Sequence, residues 1–274
     1  MRPMLSILFA AAVLMAAAGR ADAQDPAPPT EEDTSSLFAP RSNEVEFGGR
    51  WTSVAGDPAR FQRYQDLRSG LIVHGVRVLR ETDVWSLQFG ADNVGYRDQR
   101  YEVAYERTGL FSLTGLWDQI PQFYSVDTRT PYTPIGGTPM RLDAATRRAI
   151  QLGQADTRAY IPQAVQFDMR ERRDNGVVAA RATPTTAIDI TGAFQTSRHS
   201  GELPWGASFG FSNDVEVALP YDSRTNDLSL GAEWAGARGM VRVGYDGSWF
   251  DNLDDTLVWD SPLRLVPLYP PVPE

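Results

Sequence analysis

Residue types that most often carry chemistry are scarce in this chain of 274 residues, which contains no cysteine and only two histidines. Without cysteine it has no disulfide, no thiolate metal site and no C-x-x-C-H motif for covalent haem attachment. His74 and His199 lie far apart in sequence, and lone histidines are more often packing or surface residues than ligands. We therefore predict that the chain itself binds no metal or cofactor.

Two further motifs were weighed for catalysis or metal binding. The stretch DNLDDT (251–256) is rich in carboxylates but lacks the spaced ligand set of a calcium loop, so we interpret it as a solvated outer loop. No segment resembles the G-x-S-x-G motif of a serine nucleophile. The sequence offers no catalytic residue, and we predict a protein that is not an enzyme.

The overall charge excludes one class of partner. The formal net charge is −9, and nucleic-acid binding needs a basic surface against the phosphate backbone. We therefore expect no nucleic-acid partner.

The first part of the chain has the pattern of an exported protein. Arg2 precedes an apolar run and Ala21-Asp22-Ala23 fits a cleavage site, so we predict a cleaved signal peptide over residues 1–23. Residues 24–43 are rich in Pro, Asp, Glu, Thr and Ser and are predicted to be a disordered leader. The folded part is expected over residues 44–274.

Charged and polar side chains alternate with apolar ones along most of that folded part. In residues 101–106, for example, Tyr, Val and Tyr alternate with Glu, Ala and Glu. This period of two is typical of strands with one apolar and one polar face. No second apolar run is long enough for a membrane-spanning helix, so any membrane crossing must be made by strands.

The predicted strands cover residues 44–53, 69–79, 84–92, 100–107, 110–119, 168–182, 186–197, 224–234 and 238–250. The links between them are alternately tight and long, as in a transmembrane barrel with short periplasmic turns and longer outer loops. We therefore predict an all-β, antiparallel transmembrane β-barrel in the bacterial outer membrane. Five tryptophans near predicted strand ends are candidates for its aromatic girdle: Trp51, Trp85, Trp117, Trp234 and Trp249.

The predicted strand number is nine, whereas bacterial single-chain barrels have an even number. One explanation is a missed strand at 215–219 or 256–259. The explanation we favour is that these residues form the N-terminal part of a larger, incomplete barrel. One short helix is predicted inside the longest loop, over 144–152, with Asp143 as its N-cap and Gly153 at its end. The helix could plug the lumen or cover the pore mouth, or it could simply fold the loop back.

The polar members of the alternating strands are expected to face the barrel lumen. They are Glu46, Arg50, Gln88, Asp92, Glu102, Glu106, Asp118, Asp189, Gln195, Glu233, Arg242 and Asp246. Such residues could contact a protein that fills the lumen or line a water-filled pore. The residues alone leave these alternatives open.

Four segments resemble the MtrB/PioB family of outer-membrane barrels, which are associated with decahaem cytochromes. They occur in the family's order and cover nearly all of the predicted mature chain. The segments are FGGRWTSVAGDPARFQRYQDLRSGL (47–71), LTGLWDQIPQFYSVDTRTPYT (113–133), VEVALPYDSRTNDLSLGAEW (215–234) and GYDGSWFDNLDDTLVWDSP (244–262). The chain departs from the family in two ways: it is much shorter than typical members and lacks the C-x-x-C that some relatives carry.

The resemblance implies a non-catalytic sheath around a multihaem c-type cytochrome that carries electrons across the outer membrane. The partners would be that cytochrome and the outer-membrane lipid, and the haem would belong to the cytochrome. A general diffusion porin is the alternative function. A soluble periplasmic β-sandwich is a third interpretation, which the sorting of loop lengths argues against.

Overall fold

A computed structural model of the chain describes residues 43–208, 214–254 and 256–263. The predicted signal peptide and nearly all of the predicted leader lie outside these residues. The described part is one antiparallel sheet of nine strands. The strands are β1 (Glu44–Arg50), β2 (Gly70–Glu81), β3 (Trp85–Val94), β4 (Arg100–Arg107), β5 (Phe111–Thr130), β6 (Val165–Thr185), β7 (Ile188–Ser208), β8 (Asp214–Gly236) and β9 (Gly239–Asn252).

Every strand pairs with its neighbours in sequence, so the sheet is an uninterrupted meander from β1 to β9. Strands β1 and β9 each pair on one side only and do not pair with each other within the described residues. The sheet is therefore open, as expected for part of a barrel, and the predicted all-β antiparallel fold is confirmed.

The strands extend further towards the long links than the sequence predicted. Strand β5 continues to Thr130 and β6 begins at Val165, so the long link between them spans 131–164. Strands β7 and β8 extend towards each other in the same way, and the segment 215–219 belongs to β8 rather than to a separate strand. The predicted long link 198–223 was wrong for this reason. We call these additions to β5, β6, β7 and β8 the strand extensions.

The links at the opposite end of the sheet are as tight as predicted. Strand β4 connects to β5 through Thr108–Leu110, with Gly109 at φ 69° and Leu110 N–H donating to the Arg107 carbonyl at 3.0 Å. Glycine adopts this left-handed conformation without a steric cost. This end is called the tight-turn end, and the opposite end the long-link end.

Short helices occur in two of the long links. Helix α1 (Pro58–Gln62) was not predicted; it begins where Asp57 accepts hydrogen bonds from the amides of Ala59 and Arg60. Helix α2 (Ala144–Gln151) matches the prediction, with the Asp143 carboxylate accepting from the Thr146 amide. A 3-10 helix (Thr157–Gln163) follows it. Within the described residues, no helix is long and apolar enough to cross a membrane.

Candidate functional site

One face of the sheet is apolar between the tight turns and a polar belt. Phe194 lies between Val178 and Leu228 on this face, and Trp117 is the cross-strand neighbour of Tyr101. Large apolar side chains remain exposed there, including Phe194 at 43% and Val178 at 51%. We call this surface the apolar face.

A hydrogen-bonded polar belt limits the apolar face at the long-link end. Gln119 Nε2 donates to Asp174 Oδ1 at 3.0 Å, and Gln99 Nε2 donates to Gln119 Oε1 at 2.6 Å. Arg198, the register partner of Asp174, is ion-paired with Asp222. From Ile188 to this belt, β7 rises about 34 Å, or about 24 Å when tilted by about 45°. That height matches the apolar band of about 25 Å on outer-membrane barrels.

Four of the five predicted girdle tryptophans lie on the apolar face. Trp85 and Trp234 lie at its tight-turn end, and Trp117 and Trp249 lie next to the polar belt. Trp51 follows the last residue of β1 and is 96% exposed. Two levels of tryptophan thus border the apolar face, an arrangement typical of side chains at membrane interfaces.

The opposite face carries the predicted lumen residues, and we call it the polar face. All of them except Arg50 share this face in the register. They are Glu46, Gln88, Asp92, Glu102, Glu106, Asp118, Asp189, Gln195, Glu233, Arg242 and Asp246. The alternation in sequence therefore placed these side chains together across eight strands' width of pairing.

Arg50 departs from the expected position because of a β-bulge between Glu46 and Phe47. A bulge inserts one extra residue and reverses the facing of everything after it. Arg50 consequently pairs with Gly70, in the register of the apolar face, and its Nη1 donates to the Asp66 carbonyl at 2.7 Å. It serves the link after β1 and is not part of the polar face.

The arginines on the polar face between the tight turns and the belt all have carboxylate partners. Arg77 Nη2 lies 2.5 Å from Asp92 Oδ1, and Arg100 Nη2 lies 3.7 Å from Glu102 Oε2. Near the tight turns, Arg181 pairs with Asp189. Arg242 pairs with Glu233 at 2.5 Å.

Several carboxylates on the same part of the polar face form no salt bridge among the described residues. They are Glu44, Glu46, Glu81, Glu106, Asp118, Asp227 and Asp246. Because each arginine is already paired, these carboxylates leave the polar face with excess negative charge. It is therefore suited to cations or to a basic partner surface.

Residues 131–164, which we call the mouth segment, fold into a small apolar core at the long-link end. Met140, Leu142 and Ile150 pack there with Ala207 and Val217 of the strand extensions. Both strand residues have the register of the polar face. Helix α2 therefore lies beyond the polar belt, on the inner side of the sheet, rather than between the membrane-crossing strands.

Asp260 fastens the mouth segment to the chain that follows β9. Its carboxylate is 2.9 Å from Arg141 Nη1, 2.5 Å from Arg147 Nη1 and 3.1 Å from the Leu142 amide nitrogen. Burial alone would raise the pKa of Asp260, but these donors and positive charges hold the pKa below its usual value. The Tyr132 hydroxyl donates to the Asp260 carbonyl at 2.9 Å. Residues 256–259, considered above as a missed strand, contain only a single bridge from Trp259 to Met140.

Asp66 performs a comparable task in the first long link and was not singled out by the sequence. Its fully buried carboxylate accepts from the Arg97 amide at 3.1 Å and lies 3.4 Å from Arg68 Nε. Arg63 of the same link accepts a backbone hydrogen bond from Phe123 at 2.9 Å. The link thus covers the edge of β5 where β4 has already ended.

The two histidines occupy unrelated positions. His199 Nε2 is 2.6 Å from Glu171 Oε2, and its ring contacts Tyr221 edge-on at a centroid distance of 4.9 Å. His74 lies on β2. In the part of the chain that the structure describes, no three side chains are placed to hold a metal ion.

Comparison with known proteins gives the same assignment as the two-faced sheet. A family model described as "Putative outer membrane beta-barrel porin, MtrB/PioB" matches residues 54–265. No curated protein matches the sequence. The matched region includes eight of the nine strands and all of the long links. An open antiparallel sheet with a membrane-height apolar face is the structure such a family requires, and this outer-membrane chain belongs to the MtrB/PioB family of β-barrel porins.

Proposed function

We propose that this chain forms part of an outer-membrane barrel that sheathes a multihaem c-type cytochrome during electron transfer across the membrane. The barrel would do no redox chemistry. Its apolar face would contact lipid and its polar face would contact the cytochrome. Haem would enter the complex only on that partner, because the chain has no cysteine to attach it.

The observation that carries this proposal is the separation of the two faces. An electron carrier in a membrane must be kept from lipid, and strands supply such a wall only if their backbone groups pair with each other. Here Phe194 and Val178 face one side while Gln195 and Val177 face the other, within the same paired strands. The mouth segment packs beyond the polar belt, so it leaves the polar face between the membrane boundaries uncovered by this chain.

A diffusion porin is the second candidate. The printed description of the matching family favours it, and the same uncovered polar face would then line a water-filled channel. The excess of carboxylates on that face would make such a channel prefer cations. The two functions differ in what occupies the lumen.

A detergent pull-down from outer membranes of the native host would separate the two candidates. The eluate is stained for covalent haem, and its visible spectrum is recorded with the molar ratio of haem to barrel. A stoichiometric c-type haem signal supports the sheath. A barrel without haem, from cells that express cytochromes, contradicts the sheath and leaves the porin.

Extraction and localisation supply the controls for that experiment. Release of the chain without detergent would contradict an integral membrane position and favour a soluble sandwich. Sequencing the amino terminus of the purified chain tests the predicted signal peptide, with a mature start after Ala23 as the expected result.

A further inference from the structure

A groove crosses the polar face at right angles to the strands. Its floor is a continuous row of cross-strand neighbours with short side chains: Thr114, Ala179, Ala193 and Ser229. The groove has a volume of about 440 Å³ and includes Asp246 at its β9 end. A Cβ at Gly231, also in the lining, would lie 2.6 Å from Thr191 Oγ1, so a larger residue there would need its neighbour to move.

Charged residues stand on both sides of this floor. Towards the tight turns lie the paired charges Arg181 with Asp189 and Arg242 with Glu233. On the other side, Asp227 is the register neighbour of Gln195, and Asp246 is that of Ser229. Asp227 and Asp246 form no salt bridge within the described residues.

These features distinguish the groove from the rest of the polar face. Short floor side chains let an occupant approach the backbone of the wall more closely than elsewhere. The carboxylates beside the floor have no cation of their own, while every arginine nearby is neutralised. An occupant that brings cationic side chains would complete the pairing, as charge complementarity does at protein interfaces.

We propose that this groove is the docking site for a basic surface of the haem protein within the barrel. Lysine or arginine side chains of the partner would reach Asp227 and Asp246 while its backbone or small side chains rest on the floor. This inference rests on the proposed function and adds where the partner sits and which chemistry it presents.

The test reverses two carboxylates at the groove and two elsewhere on the polar face. The groove variant is Asp227→Arg with Asp246→Arg. The matched control is Glu44→Arg with Glu46→Arg, on the polar face of β1, where the wild-type carboxylates also form no salt bridge. Each variant changes the net charge equally. Haem retained per barrel after salt washes is measured on complexes purified from native outer membranes, with heat-modifiable migration confirming that each barrel is folded.

We expect the groove variant to lose haem retention about tenfold relative to wild type and the control to stay within about twofold. Equal losses in both variants would mean that the field of the whole face matters, and would overturn the groove. Unchanged retention in the groove variant would also overturn it, while the sheath function stands. A wild-type complex without haem would instead overturn the sheath and, with it, the docking of a haem protein.

Discussion

Placing an arginine on each side of one strand tests the assignment of the two faces. Phe194 and Gln195 are adjacent in β7, but Phe194 lies between Val178 and Leu228 whereas Gln195 has Asp227 as a neighbour. Phe194→Arg would put a charge into lipid. Gln195→Arg would put the same charge beside an unpaired carboxylate on the polar face.

The expected magnitude follows from the depth of Phe194. It lies about 14 Å above Ile188 on a strand tilted by about 45°, near the middle of a band of about 25 Å. An arginine at the midplane of a barrel's lipid face costs about 2–4 kcal/mol. Phe194→Arg should therefore shift the folding equilibrium by about 30- to 1,000-fold, and Gln195→Arg should shift it little.

The assay is a urea titration of outer membranes from the native host, with heat-modifiable migration as the measure of folded barrel. With a denaturant dependence of about 2 kcal/mol per molar urea, the midpoint for Phe194→Arg should fall by about 1–2 M. Equal shifts for the two variants, or a larger shift for Gln195→Arg, would refute the assignment of the faces.

Three further predictions concern the long-link end. Gly201 has φ +146° and a Cβ there would lie 2.4 Å from the Arg170 carbonyl oxygen, so Gly201→Ala should cost about 2 kcal/mol; Gly206→Ala, which has nothing within 4 Å, should leave the same urea midpoint unchanged. Asp260→Asn should release the mouth segment and make residues 131–164 sensitive to trypsin at neutral pH, and full protection would contradict the role of this carboxylate. Because the pKa of Asp260 is held below its ordinary value of 3.8, its stabilisation is complete above about pH 4 and is lost as the pH falls further; pepsin should therefore cleave the mouth segment in wild type with a steep rise below about pH 4, and a rise near pH 6 would point to another group.

The sequence was sufficient for the strands wherever the membrane imposes a pattern. A strand with one face in lipid must alternate, so stretches such as Leu228–Trp234 were located with the correct facing. The strand extensions lie beyond the polar belt, where neither face has to be apolar. The alternation fades there, and the ends of β5 to β8 could not be found from it.

The position of Arg50 could not be predicted for a different reason. A period of two continues to look regular after a one-residue slip, so the bulge between Glu46 and Phe47 leaves no trace in composition. Its consequence is visible only once the pairing with β2 is known.

Contacts between distant parts of the chain were also beyond the sequence. Asp66 and Asp260 look like ordinary acidic residues of loops, and each is buried by arginines brought from elsewhere, such as Arg97 and Arg141. A signal was present for helix α2 because its cap and its C-terminal glycine are local. No local signal marks a partner that lies more than a hundred residues away, as with Arg141 and Asp260.

The uninterrupted meander also determines the order in which chain entropy is lost. Seven of the eight strand pairings connect hairpins whose links are short or are folded on themselves, whereas β5 and β6 must meet across residues 131–164. Each doubling of a flexible loop adds about 0.6 kcal/mol to its closure, so this pairing begins about 2 kcal/mol behind a three-residue turn. We therefore expect β1–β5 and β6–β9 to form as two separate meanders, and the collapse of the mouth segment to bring them together.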